Sequence, residues 1–477
     1  MKTSRGFVNP AIGLLAVLIL INAPGVHADV ITDANTRAAD VVSRIPAPPI
    51  TVRMMAIVQV SVFEAVNAVT GRYPPQRAKL TPAPGASVEA AVAAATRTAL
   101  SKLMPAQQAL IDADYQALLG SVPDGPAKTA GIAVGERAAT AIVALCADDG
   151  AVAADVYRPH AAAGVYVPTV GPAVPHWGQR RPWVMPRGDH FRPGPPPALT
   201  SDTWARDYNE IKAVGSRNST QRTPEQTAMA KFWEATAPAV YWPVARSVAG
   251  VPGRDLTDNA RLFALAAMAM DDGLIAVFDA KYTYNLWRPV TAIRNGDTDG
   301  NNATDRDPSW TPFIDTPLHP EYPCAHCIVS ASLGAVLEAE LGSGPTPTLS
   351  SASSTAGGAV RTWATVGDFE KMDWALLDAA GDLGARPLRA FWHVTLPQTV
   401  PGVVSAAALT FVPLVGMFFV PLLVGGSTSV MIAPLIANQM QAFQLGLGAA
   451  MSFIVALIVL AALALPWRYL DLERLER

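Results

Sequence analysis

Between His393 and Arg468 the chain contains no Asp, Glu, Lys or Arg. A stretch that long without a charge is read as membrane sequence rather than as the surface of a water-soluble domain. Within it, residues 400–423 and 445–465 are each long and apolar enough to span a bilayer as a helix. Pro401, Pro413 and Pro421 interrupt the first of these, which predicts a kink or a re-entrant piece. Upstream of residues 371–373 the chain has another character, rich in Pro and Trp. The whole-chain averages of 50% hydrophobic and 16% charged residues therefore describe neither half.

The start has the layout of a secretory signal over residues 1–28. Lys2 and Arg5 give a basic beginning, residues 11–23 an apolar run, and Val26-His27-Ala28 a small-residue cleavage site. The chain beyond Ala28 is expected on the exported side, as a periplasmic domain. An uncleaved N-terminal anchor is disfavoured because the apolar run is short for a span. A length of 477 residues leaves room for two or three domains. A net charge of −3 without Lys/Arg clusters argues against a nucleic-acid partner.

Helical periodicity covers most of the exported part, which predicts an all-α domain over residues 29–343. Residues 52–69 and 88–119 place apolar side chains at three- and four-residue spacing, and residues 201–214, 224–236, 255–284 and 328–341 repeat the pattern. Prolines recur from Tyr157 to Pro197 and forbid regular helix there. With Trp177 and Trp183 among them, this stretch reads as an ordered covering loop. Residues 295–310 read as a loop with solvated turn acids. Asp297, Asp299 and Asn301 have the spacing of a calcium loop's first ligands. However, Asn302 replaces the required Gly and Pro308 the closing Glu, so no metal site is expected. Residues 344–358 read as a low-complexity linker, which places a linker and domain tail at 344–370.

Two short runs carry chemistry. Lys281-Tyr-Thr-Tyr-Asn-Leu-Trp-Arg288-Pro289 puts a Lys and an Arg seven apart, on one face of a continuous helix. Two cations there cost stability unless an anion neutralises them. Arg offers a planar fork to a tetrahedral oxyanion and Lys a point charge. Taken alone, the pair is more readily a solvent-facing stripe. His326 changes the balance, because it stands in a loop that enters the N-terminus of an apolar helix, where backbone N–H groups favour an anion. A His beside an oxyanion can act as general acid or base. Three cysteines, Cys146, Cys324 and Cys327, are too few for a disulfide framework. Cys324-Ala-His-Cys327 has redox or zinc spacing, but no second ligand pair supports zinc. A disulfide there ranks below the oxyanion reading.

The spacing Lys-x6-Arg-Pro, followed by Pro323-Cys324-Ala325-His326, resembles the signature of the type 2 phosphatidic acid phosphatase and vanadium-dependent haloperoxidase superfamily. Asp279-Ala-Lys281 and His319-Pro-Glu-Tyr-Pro-Cys-Ala-His326 look like its exported bacterial haloperoxidase-type branch, and the resemblance covers residues 29–370. It implies that Lys281 and Arg288 hold oxygens of phosphate or vanadate, with the Cys324 and Ala325 turn beside them and His326 as acid/base. Cys324 and Ala325 stand where the pattern usually has Ser and Gly. The third motif, Ser-Arg-x5-His-x3-Asp, is absent. Its His is the nucleophile or the vanadium ligand in that pattern, so oxyanion binding is expected to outlast turnover.

Downstream, Asp378-Ala-Ala-Gly-Asp-Leu-Gly384, then Val394-Thr-Leu-Pro397, resembles the Glu-Ala-Ala coupling loop of binding-protein-dependent ABC importer permeases, with Asp378 for the usual Glu. The likeness to the polyamine-type subfamily runs over residues 371–477. It implies a coupling loop at 371–397 that docks on an ATPase subunit, followed by a membrane fragment at 398–477 in the inner membrane. A loop that comes after an exported domain would start on the side without an ATPase, whereas Arg386, Arg389 and Arg468 favour a cytoplasmic side. The expectation is a membrane-attached oxyanion-binding domain with an incomplete active site, in a chimeric gene or gene model. The alternative is a permease subunit importing a polyamine-like solute.

Overall fold

A computed structural model of the chain describes residues 29–235 and 239–370 and the single position Phe453. The chain divides into two compact units, Met1–Met372 and Asp373–Arg477. The helices and strands from Val30 to Glu370 all belong to the first. The expected signal segment, the coupling loop with Asp378 and Gly384, and both predicted membrane helices, Phe453 apart, lie outside the described residues.

The first unit is a helical bundle. Its helices are α1 (Val30–Val42), α2 (Pro48–Thr70), α3 (Val88–Leu103), α4 (Gln108–Leu119), α5 (Pro126–Leu145), α6 (Asp202–Val214) and α7 (Pro224–Glu234). They continue with α8 (Tyr241–Ala249), α9 (Leu256–Tyr284), α10 (Pro289–Arg294) and α11 (Ala325–Leu341), and a short α12 (Val366–Glu370) closes the described part. The helix predicted over 88–119 is broken, because Pro105 cannot continue α3 and opens a separate turn before α4.

Two long helices organise the core. α2 is predominantly apolar, and 83% of its most apolar 18 residues are buried. Among the described residues it is the one helix long and apolar enough to cross a membrane, yet here its surface is taken up by neighbouring helices. α9 starts with a capping box between Asp255 and Asp258 and buries Leu262, Phe263, Met270, Ile275 and Phe278 against α2 and α11. α3 and α5 meet where glycines allow the backbones to touch. A Cβ on Gly135 would lie 2.3 Å from the Ala91 carbonyl oxygen and 2.7 Å from the Ala95 nitrogen. Gly135→Ala must push the helices apart, so it is expected to cost about 1–3 kcal/mol. A denaturant midpoint within error of wild type would contradict this packing.

The segment predicted as a linker is folded. β1 (Leu349–Ser353) and β2 (Ala359–Trp363) pair antiparallel, Leu349 opposite Trp363 and Ser353 opposite Ala359. Leu349 and Phe369 are fully buried, and the Ser351 hydroxyl donates to the Val240 carbonyl at 2.7 Å. The small polar residues that looked like low complexity are thus a hairpin held against α8 by a few deep anchors.

The Pro-rich stretch does form an ordered covering loop. Arg180, 2% exposed, donates to both oxygens of Asp271 at 2.8 and 3.1 Å and to Asp149 at 2.7 Å, and Asp149 also accepts from Arg53. Trp183 Nε1 donates to Asp271 at 2.8 Å, and the backbone N–H groups of Trp183, Val184 and Met185 all donate to Asp272. Two adjacent acids of α9 therefore hold one side of the loop. In the loop at 295–310, Asp299 is buried and accepts from Thr304 and from Trp204 Nε1, so it is a structural carboxylate and not the solvated turn acid predicted.

Candidate functional site

α9 ends at Tyr284, as the periodicity over 255–284 predicts, and so stops short of Arg288, contrary to the expectation that Lys281 and Arg288 share one helical face. Asn285 adopts a left-handed conformation (φ 50°) and caps the helix through its N–H to the Lys281 carbonyl. Arg288 lies beyond that cap in extended conformation, as the residue preceding α10, and Pro289 opens α10 instead of closing α9. Lys281 and Arg288 are therefore not two turns apart on one helical face. They are brought together by a turn, which the covering loop fastens: Tyr166 N–H donates to the Asn285 carbonyl and Trp287 N–H to the Gly164 carbonyl. Farther along the same loop, Gly178 lies so close to α9 that a Cβ would sit 2.4 Å from the Asp279 Cα. Arg192 also grips Asp279 with two parallel bonds at 2.7 and 2.9 Å.

Both cations are buried, Lys281 at 1% and Arg288 at 7% exposure, and both point at residues 319–321. Lys281 Nζ donates to the Pro320 and Glu321 carbonyls at 2.9 and 2.7 Å. Arg288 Nε donates to the His319 carbonyl at 2.6 Å, Nη1 to the Glu321 carboxylate, and Nη2 to His319 Nδ1 at 2.8 Å. Because a guanidinium can only donate, that ring nitrogen accepts and His319 is neutral. Burial, then the Lys281 and Arg288 charges, push its pKa down to about 2. Burial and the neighbouring Arg288 bring Lys281 down to about 7, so its charge changes near neutral pH.

Cys324 is the N-cap of α11, and its sulfur accepts from the Cys327 N–H at 3.3 Å. Ala325 opens the helix, where N–H groups have no intrahelical acceptor. His326 is the second residue of α11 and not part of the preceding loop. Its ring lies by the backbone of Trp233 and Ala235, and burial holds its pKa below the ordinary value. Its Nε2 is buried without a hydrogen-bond partner among the described residues. Of the residues predicted for the site, Lys281, Arg288, Cys324, Ala325 and His326 all gather around the 319–327 segment. Reasoning from sequence missed His319 and Glu321, the side chains that touch Arg288. Their presence inside the same motif as His326 was the available signal.

Comparisons with known proteins divide the chain as its chemistry does. The VCPO second helical-bundle domain family matches residues 261–380, and the binding-protein-dependent transport system inner membrane component family matches residues 325–469. The chain is 35% identical over 101 residues to the spermidine/putrescine transport system permease protein PotB of Escherichia coli, covering 21% of this chain and 37% of that one. It is 27% identical over 185 residues to the vanadium chloroperoxidase of Curvularia inaequalis, covering 32% and 30%. The chain thus spans about a third of the length of each of these curated relatives. Among solved structures, a bacterial vanadium-dependent iodoperoxidase superposes with a TM-score of 0.61 at 23% identity, over 73% of this chain and 89% of that one. A bacterial vanadium-dependent chloroperoxidase superposes at 0.53 and 16% identity, over 69% and 86%. At such identities the superpositions speak for the fold alone. The chain joins a helical segment that resembles the vanadium haloperoxidases to a segment that resembles the polyamine-type permeases of ABC importers.

Proposed function

We propose that residues 29–370 form an exported domain that binds a phosphate-like oxyanion, attached to the inner membrane by the permease-like segment. The observation that carries this reading is the buried pair Lys281 and Arg288, converging on 319–321 with the Glu321 carboxylate against the guanidinium. A carboxylate there is the internal counterpart of an external oxyanion, since both offer anionic oxygens to the guanidinium N–H groups. Ala325 at the start of α11 adds a backbone N–H, and Cys324 caps the same turn.

Vanadate suits the same cationic pair, and Lys281 and Arg288 would hold its oxygens. Bound there, vanadate would supply a Lewis-acid centre able to activate a peroxide. The buried Nε2 of His326 supports a proton-handling role at that position. The sequence lacks the His of the third motif, so the domain is proposed to bind without turning over, which makes its active site incomplete. The matched permease segment supports a second reading for the whole chain, in which Asp378 and Gly384 dock an ATPase subunit for import of a polyamine-like solute. The abrupt exchange of one pattern for the other near residue 371 favours a chimeric gene or gene model.

Calorimetric titration of the full chain with orthovanadate tests the first reading. Saturable binding is expected, with a loss of at least about tenfold in Lys281→Met and Arg288→Met. His326→Ala is expected to bind comparably, and bromide oxidation and cleavage of a chromogenic phosphate monoester are expected to be absent. Tight binding with turnover abolished in His326→Ala would make the domain an enzyme. Binding that ignores Arg288 would remove the site altogether.

A further inference from the structure

Cys324 caps the turn used by the oxyanion reading, but the two thiols of Cys324 and Cys327 together have a chemistry of their own. Cys324 is exposed and sits ahead of the 17-residue helix α11. Cys327 is three residues on, in the first turn. Side chains at that spacing on a helix are neighbours, roughly 5–6 Å apart at Cβ. The two sulfurs are already engaged, because Cys327 directs both its thiol and its N–H at the Cys324 sulfur, the latter at 3.3 Å. Cys146, by contrast, is buried in the core near Arg53.

We propose that Cys324 and Cys327 are a thiol–disulfide exchange pair that takes low-molecular-weight disulfides as oxidant, Cys324 attacking and Cys327 resolving. In the first step the Cys324 thiolate attacks one sulfur of the disulfide RS–SR. A Cys324–SR bond forms, the S–S bond of the reagent breaks, and RS⁻ leaves. In the second, the Cys327 sulfur loses its proton to solvent and attacks the Cys324 sulfur, forming Cys324–Cys327 and expelling the second RS⁻. The two cysteines lose two electrons and two protons, and the reagent becomes two RSH.

Three features favour Cys324 as attacker. It is the more exposed of the two, it receives both donors from Cys327, and the Lys281 ammonium stands nearby. The thiol and N–H of Cys327, with Lys281, bring its pKa down to about 6, so the thiolate prevails at neutral pH. Burial of the sulfur and, less strongly, Glu321 act in the opposite direction and are outweighed. The His326 ring, between the two cysteines in sequence, is turned toward the backbone of Trp233 and Ala235.

The test uses the full chain with Cys146→Ala, reduced and then exposed to oxidised glutathione at pH 7. Free thiols are blocked with a maleimide, and the peptide holding both cysteines is read by mass spectrometry. The expected product carries no label and is two hydrogens lighter than the dithiol. Cys327→Ser should instead accumulate a glutathione adduct on Cys324, and Cys324→Ser should react about tenfold more slowly than Cys327→Ser. Two labelled thiols after exposure would overturn the proposal. So would equal rates in the two serine variants, or a stable adduct on Cys324 while Cys327 is present. None of these readouts depends on oxyanion binding, so the two proposals fail separately.

Discussion

Asp271→Ala is expected to destabilise the helical domain by about 3–5 kcal/mol, the range for breaking a buried ion pair by removing one partner. The residue is fully buried, and its two oxygens accept two bonds from Arg180 and one from Trp183 Nε1. Without it, Arg180 keeps Asp149 and the face of Trp177 in a buried place, and Trp183 loses its acceptor. The measurement is urea unfolding followed by tryptophan fluorescence, since Trp177 and Trp183 lie beside the broken network. A loss below about half a kcal/mol would mean that Arg180 finds water or another partner. The double variant Arg180→Met, Asp271→Leu should recover part of the loss, because an apolar pair of similar volume leaves no stranded charge. The effect has a functional side. The same loop that Asp271 anchors also holds the turn between Lys281 and Arg288, through Tyr166 and Gly164.

Oxyanion affinity is expected to fall as pH rises through about 7, approaching about tenfold per unit well above that value. The sign is set by Lys281. Burial and Arg288 bring its pKa down to about 7, so the free site holds the ammonium below pH 7 and loses it above. A bound anion favours the ammonium and raises that pKa, so binding above pH 7 must take up a proton and weakens accordingly. Cys324 acts in the same direction, because a thiolate forming above about pH 6 repels an incoming anion. Sulfate is the probe of choice, since its own charge is constant from pH 5 to 9. Lys281→Met should remove the step at 7, and Cys324→Ser should leave that step while removing the one near 6. His319 stays neutral throughout and adds no step. Glu321→Gln should raise affinity by roughly tenfold, because Arg288 then has no carboxylate to release. A flat profile in the wild-type chain would show that Lys281 does not face the anion.

Much of this domain was legible as pattern. The periodicity of 201–214 and 255–284 is helix within a residue, and Trp177 and Trp183 marked the Pro-rich loop as ordered because rings of that size are rarely left in water. The segment 344–358 was misread for a physical reason. Ser, Thr and Gly carry no amphipathic signal, and its strands are held by pairing and by anchors such as Leu349 that only a finished core supplies. Asp299 was misread similarly, since its partners Trp204 and Thr304 are set by tertiary packing.

The sequence by itself determined the residue types of the site, the change of character near residue 371 and the helical class of the domain, because spacing and composition are local properties. Tertiary structure alone decided how the site is built. A left-handed Asn285 ends α9 between Lys281 and Arg288, and the covering loop holds the resulting turn, so the cations meet across a bend and not along a helix. Tertiary structure also decided what they meet. Two buried cations need acceptors, and the chain brings in the carbonyls of 319–321 and the Glu321 carboxylate from a segment more than thirty residues away.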